Sequence, residues 1–397
     1  MISVPNDRRQ FLLLREIPGL ERAGVVERIE YAPLAGKRPR PAGRNARLPA
    51  HGGDVQLDLV RVRIDGSWGY GWSSVSRARG QELIGKPASG VFDSSGVTPG
   101  FREIEFPLLD WAAKRTACPA YRLWDCTDPP AGETVGAAEV PCYDTSLYFD
   151  EPDEADDAAA ADAMRAFVAM GQARGHRSFK VKIGRGARHM PVLDGTRRDI
   201  AVIRAVRDAA GAAGTVMVDA NNGYNLNITK DVLDATADCN LFWMEEPFHE
   251  DPVLYADLRD WCGARGLSTM IADGEGRADP SIVSWAREGV IDVLQYDLKG
   301  YGFHRWLELS AELAGTSVRF APHNYGGAFG NYASCHLAQM IDRFLFVEWD
   351  EASVDGIDAS GYAISDGVVR IADSPGFGLG IDENHFALNR DQAGWSV

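Results

Sequence analysis

Ionisable side chains stand at the ends of a series of short apolar runs in the second part of this chain. Lys180-Val181-Lys182 closes one run, and Asp219-Ala220-Asn221 and Glu245-Glu246-Pro247 close the next two. Asp273-Gly274-Glu275, Asp297, His323 and Glu348 follow in the same manner. Any one of them could be a solvated strand end, but seven successive runs ending this way are hard to assign to surface chemistry. Asp219, Glu245 and Glu275 come from neighbouring runs and offer only oxygen, a donor set that favours magnesium, or manganese, over zinc. Together in a desolvated cavity they would repel one another strongly without a cation. Lys180 and Lys182 are two residues apart and share one face of a strand. Each ammonium disfavours the other's charged form, so one of the pair is expected to fall towards a useful base near neutral pH. His323 stands on the opposite side, with Asp297 one run earlier placed to hold and orient its ring. In Glu245-Glu246 a strict period of two sends Glu246 to the helical layer.

These residues need a scaffold that brings strand ends together. The apolar runs are 140–149, 178–183, 215–220, 241–246, 268–273, 290–297, 317–323 and 344–348, separated by segments of helical pattern. Between the second and third runs Ile200, Ile203, Val206 and Ala210 recur at helical spacing, with Asp194 as the expected cap. Eight strands with helical crossovers predict an α/β fold. A closed β/α barrel fits better than an open doubly wound sheet, because no Gly-x-Gly-x-x-Gly follows any run; the open sheet is the alternative. In a barrel, chemistry occupies the carboxyl ends of the strands, where these residues fall.

The N-terminal part predicts an α+β domain. Val60 to Ile64 alternates in strand fashion, Asp65-Gly66 supplies a hairpin turn, and Trp68 to Trp72 returns. Helical patterns at 101–111 and 112–124 are interrupted by Pro107. The basic, Pro- and Gly-rich stretch Lys37 to Arg47 predicts a mobile surface loop, or alternatively a lid meeting an anionic substrate. With 397 residues, 45% hydrophobic and 25% charged, the chain is a globular protein of more than one small domain. A net charge of −16 argues against nucleic acid and anionic membranes as partners. No run approaches the roughly 20 apolar residues of a membrane span, and Met1 to Arg9 opens polar, so a cytoplasmic protein is expected. Cys118, Cys126, Cys142, Cys239, Cys262 and Cys335 contain no Cys-x-x-Cys pair and are expected as buried thiols.

The ordered set Lys180/Lys182, Asp219/Asn221, Glu245-Glu246-Pro247, Gly274-Glu275, Asp297, Pro322-His323-Asn324 and Glu348-Trp349 resembles the enolase superfamily, and within it the mandelate racemase-like subgroup. The resemblance covers most of residues 140–350. It implies a modified (β/α)8 TIM-like barrel, (β/α)7β, at 140–355, an α+β capping domain at 1–139, and a tail at 356–397 that returns to the cap. It also implies Mg2+ on Asp219, Glu245 and Glu275, and a homo-oligomer. The activity implied is abstraction of the proton next to a carboxylate, giving an enediolate whose charge the cation helps to hold. In that scheme Lys182 and His323 face opposite sides of the substrate and Asp297 supports His323. Lys180 compensates the substrate carboxylate, Asn221 hydrogen-bonds nearby, and a protonated Glu348 donates to the enediolate oxygen. Dehydration of a sugar acid to a 2-keto-3-deoxy acid is the expected reaction, by analogy with the many dehydratases of the subgroup. A racemase or epimerase of a hydroxy acid is the alternative, and a non-catalytic metal- or sugar-binding scaffold a further one.

Overall fold

The computed structural model describes residues 13–124 and 138–397; Cys126 and the opening segment Met1 to Arg9 lie outside the described residues. The first layer is an antiparallel sheet of β1 (Val26–Ala42), β2 (Gly52–Ile64) and β3 (Ser67–Trp72). Asp65 and Gly66 have φ of 50° and 69°, the left-handed pair that a two-residue hairpin requires, and Ile64 pairs with Ser67 across it. The helix Glu105–Arg115 lies on this sheet. Gly69 permits the contact, since a Cβ there would sit 2.1 Å from the Pro107 carbonyl oxygen.

Two N-terminal expectations are corrected. Pro107 does not interrupt a helix but sits in the first turn of Glu105–Arg115, where its missing N–H costs no hydrogen bond. The stretch from Lys37 is not a mobile loop: residues to Ala42 continue β1. The pairing with β2 jumps from Lys37 to Ala42, so Pro39 and Pro41 fall in a bulge where no ladder N–H is needed. Arg38 is tied by both nitrogens to Asp350 at 2.9 and 2.8 Å, and Arg40 pairs with Asp150.

The larger sheet contains eight parallel strands: β4 (Glu139–Leu147), β5 (Ser178–Lys182), β6 (Thr215–Asp219), β7 (Trp243–Glu245), β8 (Met270–Asp273), β9 (Val293–Leu294), β10 (Arg319–Phe320) and β11 (Val347–Trp349). All eight expected runs are present, the sixth and seventh trimmed to two residues. Pairing runs in sequence order from β4 to β10, and β11 lies parallel on the other side of β4. Helices Asp157–Ala173, Val192–Ala210, Leu226–Ala235, Pro252–Arg265, Ile282–Arg287, Leu298–Glu312 and Ala328–Leu337 connect successive strands. Asp194 is not the cap of the second of these: Pro191 occupies that position, and Asp194 lies in the first turn, bonded to Arg197 at 2.9 Å. There its charge still complements the helix dipole.

The period of two sorts the sheet. Phe179, Val181, Val216, Val218, Met244, Ile271 and Leu294 pack against the helices, whereas Tyr143, Met217, Trp243, Met270, Ala272, Val293 and Ala321 form a separate buried cluster on the other face. Lys180, Lys182, Asp219, Glu245, Asp297, His323 and Glu348 share the parity of that second cluster. The hairpin Ala363–Ser365 and Val368–Arg370 joins β4 antiparallel, while Trp395–Ser396 pairs with β1 and Arg390 reaches Glu30 at 3.0 Å. The tail is thus shared between the two sheets. Cys118, Cys142, Cys239, Cys262 and Cys335 are buried free thiols, and no helix among the described residues is long and apolar enough to cross a membrane.

His336, fully buried, is held neutral. Its Nδ1 accepts the Tyr121 N–H at 3.2 Å, and its Nε2 lies 2.9 Å from the Tyr362 hydroxyl, which itself donates to Phe377 O at 2.6 Å. Burial pushes this imidazole down to about 3. The unfolded chain therefore takes up a proton below about pH 6.5 that the native chain refuses, and stability falls as pH drops. The expected loss from this group is about 2 kcal/mol at pH 5 relative to pH 7. Urea unfolding at both pH values should show that difference shrink in His336→Gln; an unchanged difference would show that His336 is not the source.

Candidate active site

Three strand ends leave regular geometry to build the site. Asn221, Asn222 and Glu246 have φ of 43°, 58° and 40°, and Gly274 has 123°, all in a region that side chains avoid unless surroundings impose it. The turn at Gly274 matters for Glu275. Asp273 has outward parity and is bonded to the Tyr255 hydroxyl of a flanking helix, so Glu275 would follow it outward if the strand ran on. The turn instead brings Glu275 beside Asp219 and Glu245, where one oxygen from each of the three lies within 4.8 Å of the others.

Around this triad the expected residues form one connected cluster. Lys180 Nζ lies 2.7 Å from Glu245 Oε1, 2.9 Å from Glu348 Oε1 and 3.7 Å from Asp219 Oδ2. Lys182 donates to Asp219. The Asn221 N–H donates to Asp219 at 2.8 Å, and its side-chain amide reaches Glu275 at 3.5 Å and Glu246 at 3.1 Å. On the far side, His323 Nδ1 is 2.5 Å from Asp297 Oδ1, and its Nε2 is 3.4 Å from Glu275 and 4.0 Å from Glu348.

Electrostatics follow from burial and from the company each group keeps. Burial, with the charges of Asp219 and Glu275 nearby, pushes Glu245 up to about 8 despite Lys180. Burial and the adjacent Glu275, Asp219 and Asp273 push Glu246 up to about 10. Glu348 is the reverse: burial would raise it, but Lys180, His323 and Lys182 outweigh that and hold it well below the usual carboxylate range. That direction runs against the protonated form expected of Glu348, whose oxygens accept from Thr145 at 2.7 Å and from the Asn324 N–H at 2.8 Å. Burial would lower His323, yet Glu275, Glu348 and Asp297 lift it to about 10. Burial would likewise lower Lys182, but Asp219 raises it above its ordinary value, the opposite of the lowering expected from its lysine neighbour.

Five carboxylates, Asp219, Glu245, Glu275, Asp297 and Glu348, thus face three cationic groups, Lys180, Lys182 and His323. The excess of acids over cations, the all-oxygen triad and the buried Glu275 Oε2, which has no hydrogen bond and only the His323 Nε2 at 3.4 Å, fit one hard dication. Asp219, Glu245 and Glu275 would hold it.

Several participants were not expected. Glu246 does not face the helical layer: its positive φ breaks the alternation, and it lines a cavity of about 340 Å³ together with Asn221, Glu275, Arg47 and Arg277. Trp243 and Gln295 donate to Glu245 at 2.9 and 3.0 Å, and Thr145 orients Glu348. Their inward parity was readable from strand periodicity, but nothing local marked them as partners of carboxylates.

Residues 160–385 match the enolase C-terminal domain-like family model. The fold is similar to that of galacturonate dehydratase from Geobacillus sp., with a TM-score of 0.92, 44% identity, and coverage of 96% of this chain and 99% of that one, in a structure complexed with Mg. The same enzyme is known complexed with D-galacturonate and 5-keto-4-deoxy-D-galacturonate. Among characterised relatives, D-galactarolactone cycloisomerase from Agrobacterium fabrum is 28% identical over 296 residues, 67% of this chain and 70% of its own length. D-gluconate/D-galactonate dehydratase from Picrophilus torridus is 25% identical over 195 residues, 48% of this chain and 49% of its own length.

If the triad is a cation site, Mg2+ or Mn2+ should raise the melting temperature, with a stabilisation of about 2.7 kcal/mol at a hundred times Kd. Asp219→Asn and Glu275→Gln should each abolish most of that rise. A cation-induced shift of the same size in both variants would refute the ligand assignment.

Proposed function

This chain belongs to the enolase C-terminal domain-like family, and from that premise we propose that it is a Mg2+-dependent dehydratase of a sugar acid, taking a hexuronate to its 2-keto-3-deoxy acid. The observation that carries the proposal is the carboxylate triad Asp219, Glu245 and Glu275 set between Lys180/Lys182 and the His323–Asp297 pair. The compounds complexed with the Geobacillus enzyme support the substrate class: one of them, 5-keto-4-deoxy-D-galacturonate, counted from its carboxylate, is a 2-keto-3-deoxy acid.

The proposed scaffold is a closed barrel at 140–355 capped by residues 1–139 and the tail. Two features support closure. A parallel bridge joins Phe320 of β10 to Phe344, just before β11. Glu348 of β11 also touches Lys180 on β5 and the backbone after β10 at once, a contact that favours closure.

A dication on Asp219, Glu245 and Glu275 would supply Lewis-acid stabilisation of the charge that builds on the substrate carboxylate. Lys180, between Glu245 and Glu348, provides a second positive charge for that carboxylate. With Asp219 committed to a cation, Lys182 would lose that partner and the like charge of Lys180 would lower its ammonium towards the free base. Its Nζ takes the α-proton, and the electron pair released forms the Cα–Cβ double bond as the β-carbon–oxygen bond breaks. His323, carrying a proton between Asp297 and the pocket, gives it to the departing hydroxyl, which leaves as water. The resulting enol tautomerises to the keto acid. Asp297 keeps the imidazole oriented, and Asn221 lies within reach of the substrate oxygens next to the triad.

Mono- and diacid sugars incubated with Mg2+ should yield a 2-keto acid, with D-galacturonate as the first test. Lys182→Ala and His323→Asn should each lower turnover by at least about a hundredfold while still binding Mn2+, because neither is a ligand. Solvent deuterium entering the α-carbon without keto acid would replace this reading with racemisation. Sugar binding with neither outcome would favour a scaffold.

A further inference from the structure

One cation at the mouth of the strands has no use in the scheme above. Lys299, in the first turn of Leu298–Glu312, is partly buried between the Trp72 ring of the N-terminal sheet, 5.5 Å from Nζ, and Gly327 after β10. Gly327 approaches so closely that a Cβ there would lie 2.2 Å from Nζ. Among the described residues no carboxylate comes within ion-pair distance of this ammonium, and no acceptor bonds it.

The reason is that every acid near it is already committed. Asp350 is held by both nitrogens of Arg38 and by the Gly326 N–H at 3.1 Å. Asp297 is held by His323, and Asp58 by Tyr31 and Gln56 at 2.9 and 2.8 Å. Burial accordingly holds the Lys299 ammonium below its usual value despite the field of Asp350, Asp297 and Asp58. A flexible lysine held here with only the Trp72 ring facing its charge gives up the hydrogen bonds that water would supply. It is placed for an acceptor that arrives with a ligand.

The neighbourhood identifies where on the ligand that acceptor lies. The segment Tyr325–Gly327 carries Lys299 at its glycine end and a cluster of rings at its tyrosine end. Tyr325 lies 5.2 Å from Tyr148 and 5.1 Å from His51, and Lys182 Nζ sits 5.4 Å from the Tyr148 ring. His51, the residue before β2, keeps a buried Nε2 with no hydrogen-bond partner. Lys299 follows Asp297 by two residues, and His51 packs on Tyr148, whose ring Lys182 faces, so two polar groups without hydrogen-bond partners lie near the proton-handling residues.

We propose that Lys299, seated between Trp72 and Gly327, determines specificity by donating to an oxygen of the sugar acid beyond its two reacting carbons, with His51 completing this distal subsite. The inference rests on the sugar-acid reading above. It assigns Lys299 to binding rather than to proton transfer, so the ammonium grips the tail of the substrate and leaves the α- and β-carbons to Lys182 and His323.

Calorimetry on the full Mg2+-saturated chain tests it, with D-galacturonate, D-glucuronate and galactarate as six-carbon probes and glycerate as a three-carbon probe that has both reacting carbons and nothing beyond. Lys299→Met should weaken the tightest six-carbon probe by about tenfold to a hundredfold, the range for a lost charged hydrogen bond, and leave glycerate unchanged. Gly327→Ala, which keeps the lysine and displaces Nζ, should act in the same selective direction and guards against misfolding of the first variant. Equal affinity for the six-carbon probe in both variants, or parallel loss for long and short acids, would overturn the assignment. Keto acid formation by the wild-type chain is read separately: tight sugar binding without it would defeat the dehydration reading while Lys299 is still judged by affinity.

Discussion

Five acids packed against three cationic groups are the constraint on which the site depends. Five carboxylates and three cationic side chains are gathered at one end of a parallel sheet, most of them fully removed from water. Each ion carries a desolvation penalty of several kcal/mol that pairing only partly offsets, so the arrangement persists only because the surrounding structure leaves the groups no alternative. Beneath them the inward cluster of Tyr143, Met217, Trp243, Met270, Ala272, Val293 and Ala321 closes the interior to solvent. Trp243 and Gln295 fix Glu245 from below, and Thr145 fixes Glu348. The left-handed backbone at Asn221, Asn222, Glu246 and Gly274 is a second expense of the same kind. Such concentration of charge and strain at strand ends is characteristic of sites where function, rather than stability, sets the arrangement.

The same imbalance accounts for the division of labour between flanking groups. Lys180 is surrounded by Glu245, Glu348 and Asp219, which hold its ammonium above its usual value. Lys182 leans on Asp219, so its protonation is tied to what Asp219 binds. His323 answers to Asp297 on one nitrogen and to Glu275 and Glu348 on the other. The three cations are therefore not equivalent, and their differences arise from neighbours rather than from residue type.

Across the boundary between the two sheets, polar contacts link the N-terminal part to the strand ends. Arg38 reaches Asp350, Arg40 reaches Asp150, and Arg47 comes within 3.6 Å of Glu246. These arginines were legible as a basic, proline-rich stretch, but the stretch reads as a loop because its partners lie about a hundred to three hundred residues away and no local pattern announces them. The bulge that accommodates Pro39 and Pro41 turns a loop signal into an edge of sheet.

The order of strands, the period of two and the chemistry of the residues at strand ends were settled by sequence, because side-chain alternation and apolar run length are local properties of the chain. Those properties sufficed to pick out Lys180, Lys182, Asp219, Asn221, Glu245, Glu275, Asp297, His323 and Glu348, all of which the structure joins into one cluster. Protonation and direction were not local. Glu246 turns into the cavity because its φ is positive, Glu348 is held below the usual carboxylate range because Lys180 lies against it, and Lys299 lacks a carboxylate partner because Arg38, His323 and Tyr31 reach the nearby acids first. Charge states and hydrogen-bond partners depend on groups brought within a few ångströms from distant parts of the chain, and only tertiary packing decides which groups those are.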